Sequence, residues 1–312
     1  MIAGDSKRGG SPDYTSTPSG CESNDSRVRT LVLGNRISVG ATLHAPAGVV
    51  PRAVVVAVHG AGMTADYFDA RSEPSLSLCA TATRLGYSVL TIDRPGYGAH
   101  AERYPAGLCM DDQATAIGEA LEDFVRNHPI GAGLFLLAHS YGGAVALTMA
   151  SNAGGPSFIG IDVSGIGHEF AVGAAPLDRS HADLAWPMNW GKLSFYPPRT
   201  FTFAVGMVAE VPACELDDIA GWPERFSLVA ERIGTPVRFT FAEYEQWWIH
   251  DDDALDVLRS RFGSCRVSID VLPQTGHNIS LGWTAAAYHL KALAFLEECL
   301  GERASNSGLR TA

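Results

Sequence analysis

Short apolar runs, separated by polar turns, recur along the first half of the chain. Residues 53–58, 88–92, 134–138 and 158–163 are each mostly apolar, which is typical of strands buried on both faces of a parallel sheet. Segments with apolar residues at helical spacing follow the first three runs, so strands and helices alternate. This alternation predicts an α/β protein with a doubly wound, mostly parallel sheet.

The pattern is different near the two ends of the chain. Residues 28–33 and 36–43 are β-rich and are separated by a Gly-Asn turn, which predicts a leading hairpin. Residues 236–241 and 266–272 predict two further strands, and residues 284–300 predict a closing amphipathic helix.

One long segment between these strands interrupts the alternation. It is rich in tryptophan and proline, and Trp186, Trp190 and Trp222 are spread along it. A segment this aromatic is not expected to be disordered, and connectors of this length usually form a lid or carry function. We therefore divide the chain into a disordered N-terminal tail (1–27), a two-part core (28–165 and 233–302), a cap or lid insertion (166–232) and a C-terminal tail (303–312).

Composition and charge restrict the partners of the chain. A net charge of −11 over 312 residues disfavours contact with nucleic acid or with anionic membranes. No apolar run is long enough to cross a bilayer, and the polar N-terminus lacks the apolar run of a secretory signal. The six cysteines have neither a Cys-x-x-Cys pair nor metal-ligand spacing, which favours free thiols in a reducing compartment. We expect a cytoplasmic protein that uses no metal and no cofactor.

The clearest chemical signal follows the third apolar run. Ser140 lies between His139 and Tyr141, with the small residues Ala138 and Gly142 two places to either side. Small residues let a strand turn sharply into a helix, and such a turn strains the middle residue and exposes its side chain. The N-terminus of the following helix directs free N–H groups toward charge that develops beside the hydroxyl. Ser140 is therefore the predicted nucleophile.

A serine nucleophile needs a base, and the base needs an orienting carboxylate. His277 lies just past the last predicted strand, where an open α/β sheet places its reactive groups. Two carboxylates follow the preceding strand. Glu245, in the turn, is the preferred acid, Glu243 is the alternative acid, and residues 251–253 are a third option that is better interpreted as a solvated loop or the start of a helix.

Acyl transfer also needs N–H donors aimed at the developing oxyanion. The loop His59-Gly60-Ala61-Gly62 follows the first buried strand, and its small residues leave backbone N–H groups free while a substrate carbonyl approaches. We expect the backbone N–H groups of Ala61 and Tyr141 to form the oxyanion hole.

Together these motifs resemble the α/β-hydrolase fold family over residues 28–300. The segment 138–142 is similar to that family's Gly-x-Ser-x-Gly turn, with Ala138 in place of the first Gly. The loop 59–62 resembles its oxyanion loop, residues 93–98 its segment after the fourth strand, and His277 its catalytic histidine. The order Ser, acid, His also matches, although the family often has Asp where this chain offers Glu. The resemblance implies a helical cap at the insertion.

The residues and the resemblance predict a serine hydrolase acting through an acyl-enzyme on Ser140. The expected substrate is a small to medium, largely apolar carboxylic ester, thioester or lactone. The alternative is a non-hydrolytic protein of the same fold, acting as a cyclase, acyltransferase or metabolite binder, because an aromatic lid also excludes water. Candidate residues of an apolar substrate pocket are Trp186, Trp190, Trp222 and Trp248.

Overall fold

The computed structural model describes residues 26–173, 182–203 and 206–308. Within these ranges the strands are β1 (Ser26–Leu33), β2 (Val39–Pro46), β3 (Val54–Val58), β4 (Ser88–Asp93), β5 (Leu134–His139), β6 (Phe158–Ser164), β7 (Val237–Tyr244) and β8 (Val267–Gly276). They form one sheet in the order β1-β2-β4-β3-β5-β6-β7-β8. The β1–β2 and β2–β4 pairs are antiparallel and all the others are parallel, which confirms the predicted mostly parallel sheet.

Helices cover both faces of this sheet. The described α-helices are α1 (Leu78–Arg84), α2 (Met110–Asn127), α3 (Tyr141–Ser151), α4 (Ala182–Trp190), α5 (Thr200–Phe203), α6 (Ala213–Ala220), α7 (Trp222–Glu231), α8 (Asp252–Ser260) and α9 (Ala285–Gly308). Apolar residues of α2, α3, α7 and α8 belong to one hydrophobic core, and those of α1 and α9 belong to a second. The sheet therefore lies between two helical layers.

The buried strand β3 shows why the apolar runs are continuous. Val54, Val56 and Val58 belong to the first core, whereas Val55 and Ala57 belong to the second. Successive side chains of a strand point to opposite faces, so a strand covered on both faces needs an apolar residue at every position. All five residues of β3 are buried.

Two predicted boundaries differ in the structure. β1 begins at Ser26, and residues 1–25 of the predicted tail lie outside the described residues. The closing helix does not end at residue 300, because α9 continues to Gly308. Arg303 donates to the carbonyl of Phe158 (2.9 Å), and Glu302 pairs with Arg266 (3.0 Å). These long-range contacts hold the additional turns and are not visible in the local pattern.

The described part of the insertion between β6 and β7 contains the helices α4 to α7, joined by loops. Trp222 at the start of α7 is fully buried, and its Nε1 donates to the carbonyl of Gly167 (2.8 Å). Phe226, one turn later, packs against Phe239 of the sheet. The insertion therefore shares the first hydrophobic core with the sheet. Its interpretation as a cap or lid stays a prediction.

No helix in the described residues has both the length and the apolar character needed to cross a membrane. The predicted cytoplasmic location remains a prediction.

Candidate active site

Ser140 lies in the sharp turn between β5 and α3. Its backbone adopts φ 52° and ψ −127°, a region that residues other than glycine seldom occupy. The Ser140 N–H donates to the carbonyl of Ser164 at the end of β6 (2.8 Å) and so holds the turn. A Cβ at Gly142 would lie 2.2 Å from the carbonyl oxygen of His59, so a glycine is needed for this close approach. The Ser140 side chain does not cap α3, which leaves its hydroxyl for other partners.

His277 follows β8 directly and faces this hydroxyl. Its Nε2 lies 3.0 Å from Oγ of Ser140, and the residue is buried. Gly165, which follows β6 with φ 60°, leaves the space that the imidazole needs. A Cβ there would lie 2.9 Å from Cε1 of His277 and 2.8 Å from Cε1 of His139. The position directly after β6 must therefore lack a side chain for both rings to fit.

Glu245 follows β7 and accepts from the other nitrogen of the same ring. Nδ1 of His277 lies 2.8 Å and 3.0 Å from its two carboxylate oxygens, and the Trp247 N–H donates to Oε1 (3.0 Å). Burial alone would raise the pKa of Glu245, but the facing His277 and the Trp247 N–H lower it below its usual range. The structure thus joins Ser140, His277 and Glu245 in one chain of hydrogen bonds.

The other carboxylates proposed from the sequence lie elsewhere. Glu243 is exposed, and it accepts from the N–H of Gln274 on β8 (2.7 Å) instead of from His277. Its assignment as the alternative acid is therefore not supported by the geometry. Asp251 caps α8 by accepting from the N–H of Ala254 (2.9 Å), as a helix-start residue is expected to do.

His139 is a buried neighbour of this hydrogen-bond chain. Its ring stacks on Tyr67, with centroids 4.9 Å apart, and its Nδ1 lies 3.1 Å from Oγ of Ser164. Burial, and then the nearby His277, hold the pKa of His139 well below its usual range. The imidazole of His139 is therefore neutral near pH 7, and it adds no positive charge beside His277.

The two predicted oxyanion donors border the same cavity as Ser140. Tyr141 is the first residue of α3, so its N–H has no carbonyl one turn earlier to bind within the helix. Ala61 lies in the loop after β3, next to Gly62, whose N–H donates to the hydroxyl of Tyr97 (3.0 Å). The role of the Ala61 and Tyr141 N–H groups as donors to an oxyanion stays a prediction.

A cavity of about 110 Å³ adjoins Ser140 and His277. Its wall is mostly apolar and includes Phe170, Leu216, Ile219, Trp247 and Trp248. Phe170 stacks on Trp248 with centroids 4.3 Å apart, and this pair joins the beginning of the insertion to the segment after β7.

Of the four tryptophans predicted to form the pocket, the structure places Trp248 in its wall. Trp186 is half exposed on α4, and Trp190, which packs against Tyr196 and Phe201, is not among the residues that line the cavity. Trp222 lies in the core beneath α7. None of these three residues lines this cavity, because the side of a helix that faces a cavity depends on tertiary packing.

Two buried residues beside the site were not found from the sequence. Arg94 follows β4, and Glu215 lies on α6 in the cavity wall; both side chains have no exposed surface, and they form an ion pair. One signal was available, since a charged residue next to a buried strand needs a partner of opposite charge. The partner is 121 residues away and could not be chosen from the sequence.

Comparison with known families gives one match, in which the sequence model of the alpha/beta hydrolase family covers residues 55–288. This range is about three quarters of the chain and includes Ser140, Glu245 and His277. The chain belongs to the alpha/beta hydrolase family. A comparison with curated proteins found no match.

Solved structures similar to this alpha/beta hydrolase include a monoglyceride lipase from Saccharomyces cerevisiae. It has a TM-score of 0.64 and 13% sequence identity, with 90% of this chain and 98% of the lipase chain covered. A carboxyl esterase from Bacillus coagulans has a TM-score of 0.60 and 14% identity, covering 89% and 98%. The N-acyl homoserine lactonase AidH has a TM-score of 0.62 and 13% identity, covering 88% and 97%. At these identities the similarity establishes the fold alone.

Proposed function

We propose that this alpha/beta hydrolase is a serine hydrolase that cleaves a small to medium, largely apolar carboxylic ester, thioester or lactone. The supporting observation is the hydrogen-bond chain from Oγ of Ser140 through His277 to Glu245, at the wall of an apolar cavity. The names of the structural neighbours, a lipase, an esterase and a lactonase, agree with this class of substrate.

In the first half-reaction, Oγ of Ser140 attacks the substrate carbonyl carbon while Nε2 of His277 takes the hydroxyl proton. The Nδ1–H of His277 donates to Glu245, whose charge stabilises the imidazolium. The N–H groups of Ala61 and Tyr141 bind the oxyanion of the tetrahedral intermediate. When the intermediate collapses, the leaving oxygen or sulfur takes the proton from Nε2, and the acyl group remains on Ser140.

The second half-reaction uses the same groups on water. A water molecule gives a proton to Nε2 of His277 and attacks the acyl carbon, and the second intermediate collapses to the free acid and the restored Ser140 hydroxyl. The lowered pKa of Glu245 keeps its carboxylate ionised at neutral pH, so the base is held in the required tautomer throughout.

The size of the cavity favours the lower end of the substrate range. Its volume is about 110 Å³, while an apolar cavity of about 150 Å³ is known to hold benzene. By this comparison an acyl group of about four carbons fits without movement of the insertion.

The direct test is intact mass after treatment with a fluorophosphonate probe, with Ser140→Ala as the control. We expect a single adduct on the wild type and no adduct on the variant, and the hydrolysis of p-nitrophenyl butyrate should be abolished in the variant. A thermal melt checks that the variant is folded. Adduct formation and turnover at wild-type levels in Ser140→Ala would refute the proposal. Transfer to an added alcohol without uptake of water would favour the acyltransferase alternative.

A further inference from the structure

A buried guanidinium supports the loop that carries Ala61. Arg94 has no exposed surface; its Nε donates to the carbonyl of His59 (2.9 Å), and its Nη2 donates to the carbonyl of Gly60 (3.0 Å). The Gly60 carbonyl and the Ala61 N–H belong to the same planar, trans peptide unit, so they point in opposite directions. Nδ1 of His59 also lies 2.8 Å from the Gly60 carbonyl oxygen, so Arg94 and His59 together set the direction in which the Ala61 N–H points.

The counterion of Arg94 comes from the insertion. Glu215 on α6 accepts from Nη1 and from Nη2 (3.1 Å), and its carboxylate also accepts from the Tyr97 hydroxyl (2.7 Å) and from Nε2 of Gln113 (3.1 Å). Burial alone would lower the pKa of Arg94, but the Glu215 carboxylate raises it, so the guanidinium stays charged. A buried guanidinium without this partner would be strongly destabilised.

Helix α6 also makes contacts on the sides of both predicted oxyanion donors. Tyr97, which donates to Glu215, accepts from the N–H of Gly62 in the oxyanion loop (3.0 Å). Asp218, one turn after Glu215, accepts from the hydroxyl of Tyr141 (3.4 Å). Helix α6 therefore contacts the supports of both halves of the predicted oxyanion hole.

We propose that α6 of the insertion positions the oxyanion hole, with Glu215 and Arg94 as positioning residues for the Ala61 N–H. This inference rests on the proposed acyl-transfer function. When α6 is in place, Glu215 holds Arg94 against the two loop carbonyls. If α6 moves away, Arg94 loses its counterion, and one of the two contacts that hold the Gly60 carbonyl is weakened. The position of α6 and the geometry of the predicted oxyanion hole are thereby coupled.

The test compares two carboxylates on the same helix. Glu215→Gln removes the buried charge, and Asp217→Asn makes the same change at an exposed position of α6. For Glu215→Gln we expect kcat on p-nitrophenyl butyrate to fall about 10- to 100-fold with KM changed less than about threefold, since the loss concerns the transition state. Asp217→Asn should leave both constants unchanged. Tyr97→Phe, a milder change, gives a second measurement if Glu215→Gln is poorly folded.

A pair of inhibitors separates positioning from a general disturbance of the pocket. A trifluoromethyl ketone with a butyl chain forms an oxyanion on Ser140, whereas the matching alcohol does not. We expect Glu215→Gln to lower the affinity for the ketone in proportion to its loss of kcat/KM. The affinity for the alcohol should be unchanged. Equal losses for both inhibitors, or a kcat within twofold of wild type in both Glu215→Gln and Tyr97→Phe, would overturn the inference.

Amide hydrogen exchange tests the coupling without reference to turnover. Peptides covering residues 58–64 should exchange faster in Glu215→Gln than in Asp217→Asn, and equal exchange in the two variants would overturn the inference. A wild type that shows neither an adduct nor turnover would instead refute the proposed function. The two failures are therefore distinguishable.

Discussion

Replacing Glu245 by glutamine removes the charge that faces His277 and keeps the size of the side chain. The Trp247 N–H lies 3.0 Å from Oε1 and needs an acceptor there, so the amide oxygen of the new side chain is held at that position. The NH₂ group then occupies the position of Oε2, which is the oxygen nearer to Nδ1 of His277 (2.8 Å). An NH₂ group at Nδ1 donates to the ring and forces its proton onto Nε2.

A proton on Nε2 prevents His277 from accepting the proton of Ser140. The corresponding change from acid to amide in a serine-protease triad lowers kcat about 10⁴-fold. We expect a loss of about 10³- to 10⁴-fold in kcat for Glu245→Gln, measured with p-nitrophenyl butyrate at pH 8.

Glu243→Gln is the matched control, since it makes the same chemical change two residues earlier. Its side chain is exposed, and a glutamine oxygen is also able to accept from the Gln274 N–H, so activity should stay within about twofold of wild type. Thermal melts of both variants show whether a loss of activity reflects unfolding. The reasoning is refuted if Glu245→Gln keeps more than a tenth of the wild-type kcat, or if Glu243→Gln loses more activity than Glu245→Gln.

Two further predictions concern stability and specificity. The pKa values of His59, His139 and His289 are lowered by burial, the last to about 3, so below pH 6.5 the unfolded chain binds more protons and stability falls. Urea unfolding should show a loss of about 2 kcal/mol from His289 between pH 7.5 and pH 5, with further losses in the same direction from His59 and His139, and equal stability at the two pH values would contradict this. In a series of p-nitrophenyl esters, activity should peak at about four acyl carbons and decline for longer chains. Leu216→Ala or Ile219→Ala should move the peak to longer chains, because both side chains line the cavity; an unchanged profile would argue against this cavity as the acyl site.

The positions of Ser140 and His277 could be predicted because local features determine them. A small-residue turn after a buried strand exposes the serine, and the carboxyl ends of parallel strands meet at one edge of the sheet. The choice between Glu243 and Glu245 was harder, since residues two positions apart on an extended strand share one face. The pairing of β7 with β8 is irregular between Ala242 and Tyr244, so this rule fails beyond that point. Glu243 therefore points to solvent, while Glu245 turns inward.

Contacts between distant segments could not be predicted in the same way. The pattern of α4 does not reveal that Trp186 is exposed, or that Trp190 packs against Tyr196. The pairing of Arg94 with Glu215 likewise requires α6 to lie over the loop after β3, which no periodicity encodes. The sequence alone therefore indicates the residues of the predicted triad better than the groups that surround them.

The charges around the site explain why the sign of the Glu215→Gln effect is informative. Glu215 neutralises Arg94, whose guanidinium also lies 5.0 Å from the ring of Tyr141, so the pair contributes no net charge near the predicted oxyanion hole. If Arg94 acted mainly through its charge, Glu215→Gln would expose a positive field to the oxyanion and raise kcat. If Arg94 acts by holding the Gly60 carbonyl, the same change loosens the guanidinium and lowers kcat. The hydrogen bonds to both loop carbonyls favour the second outcome.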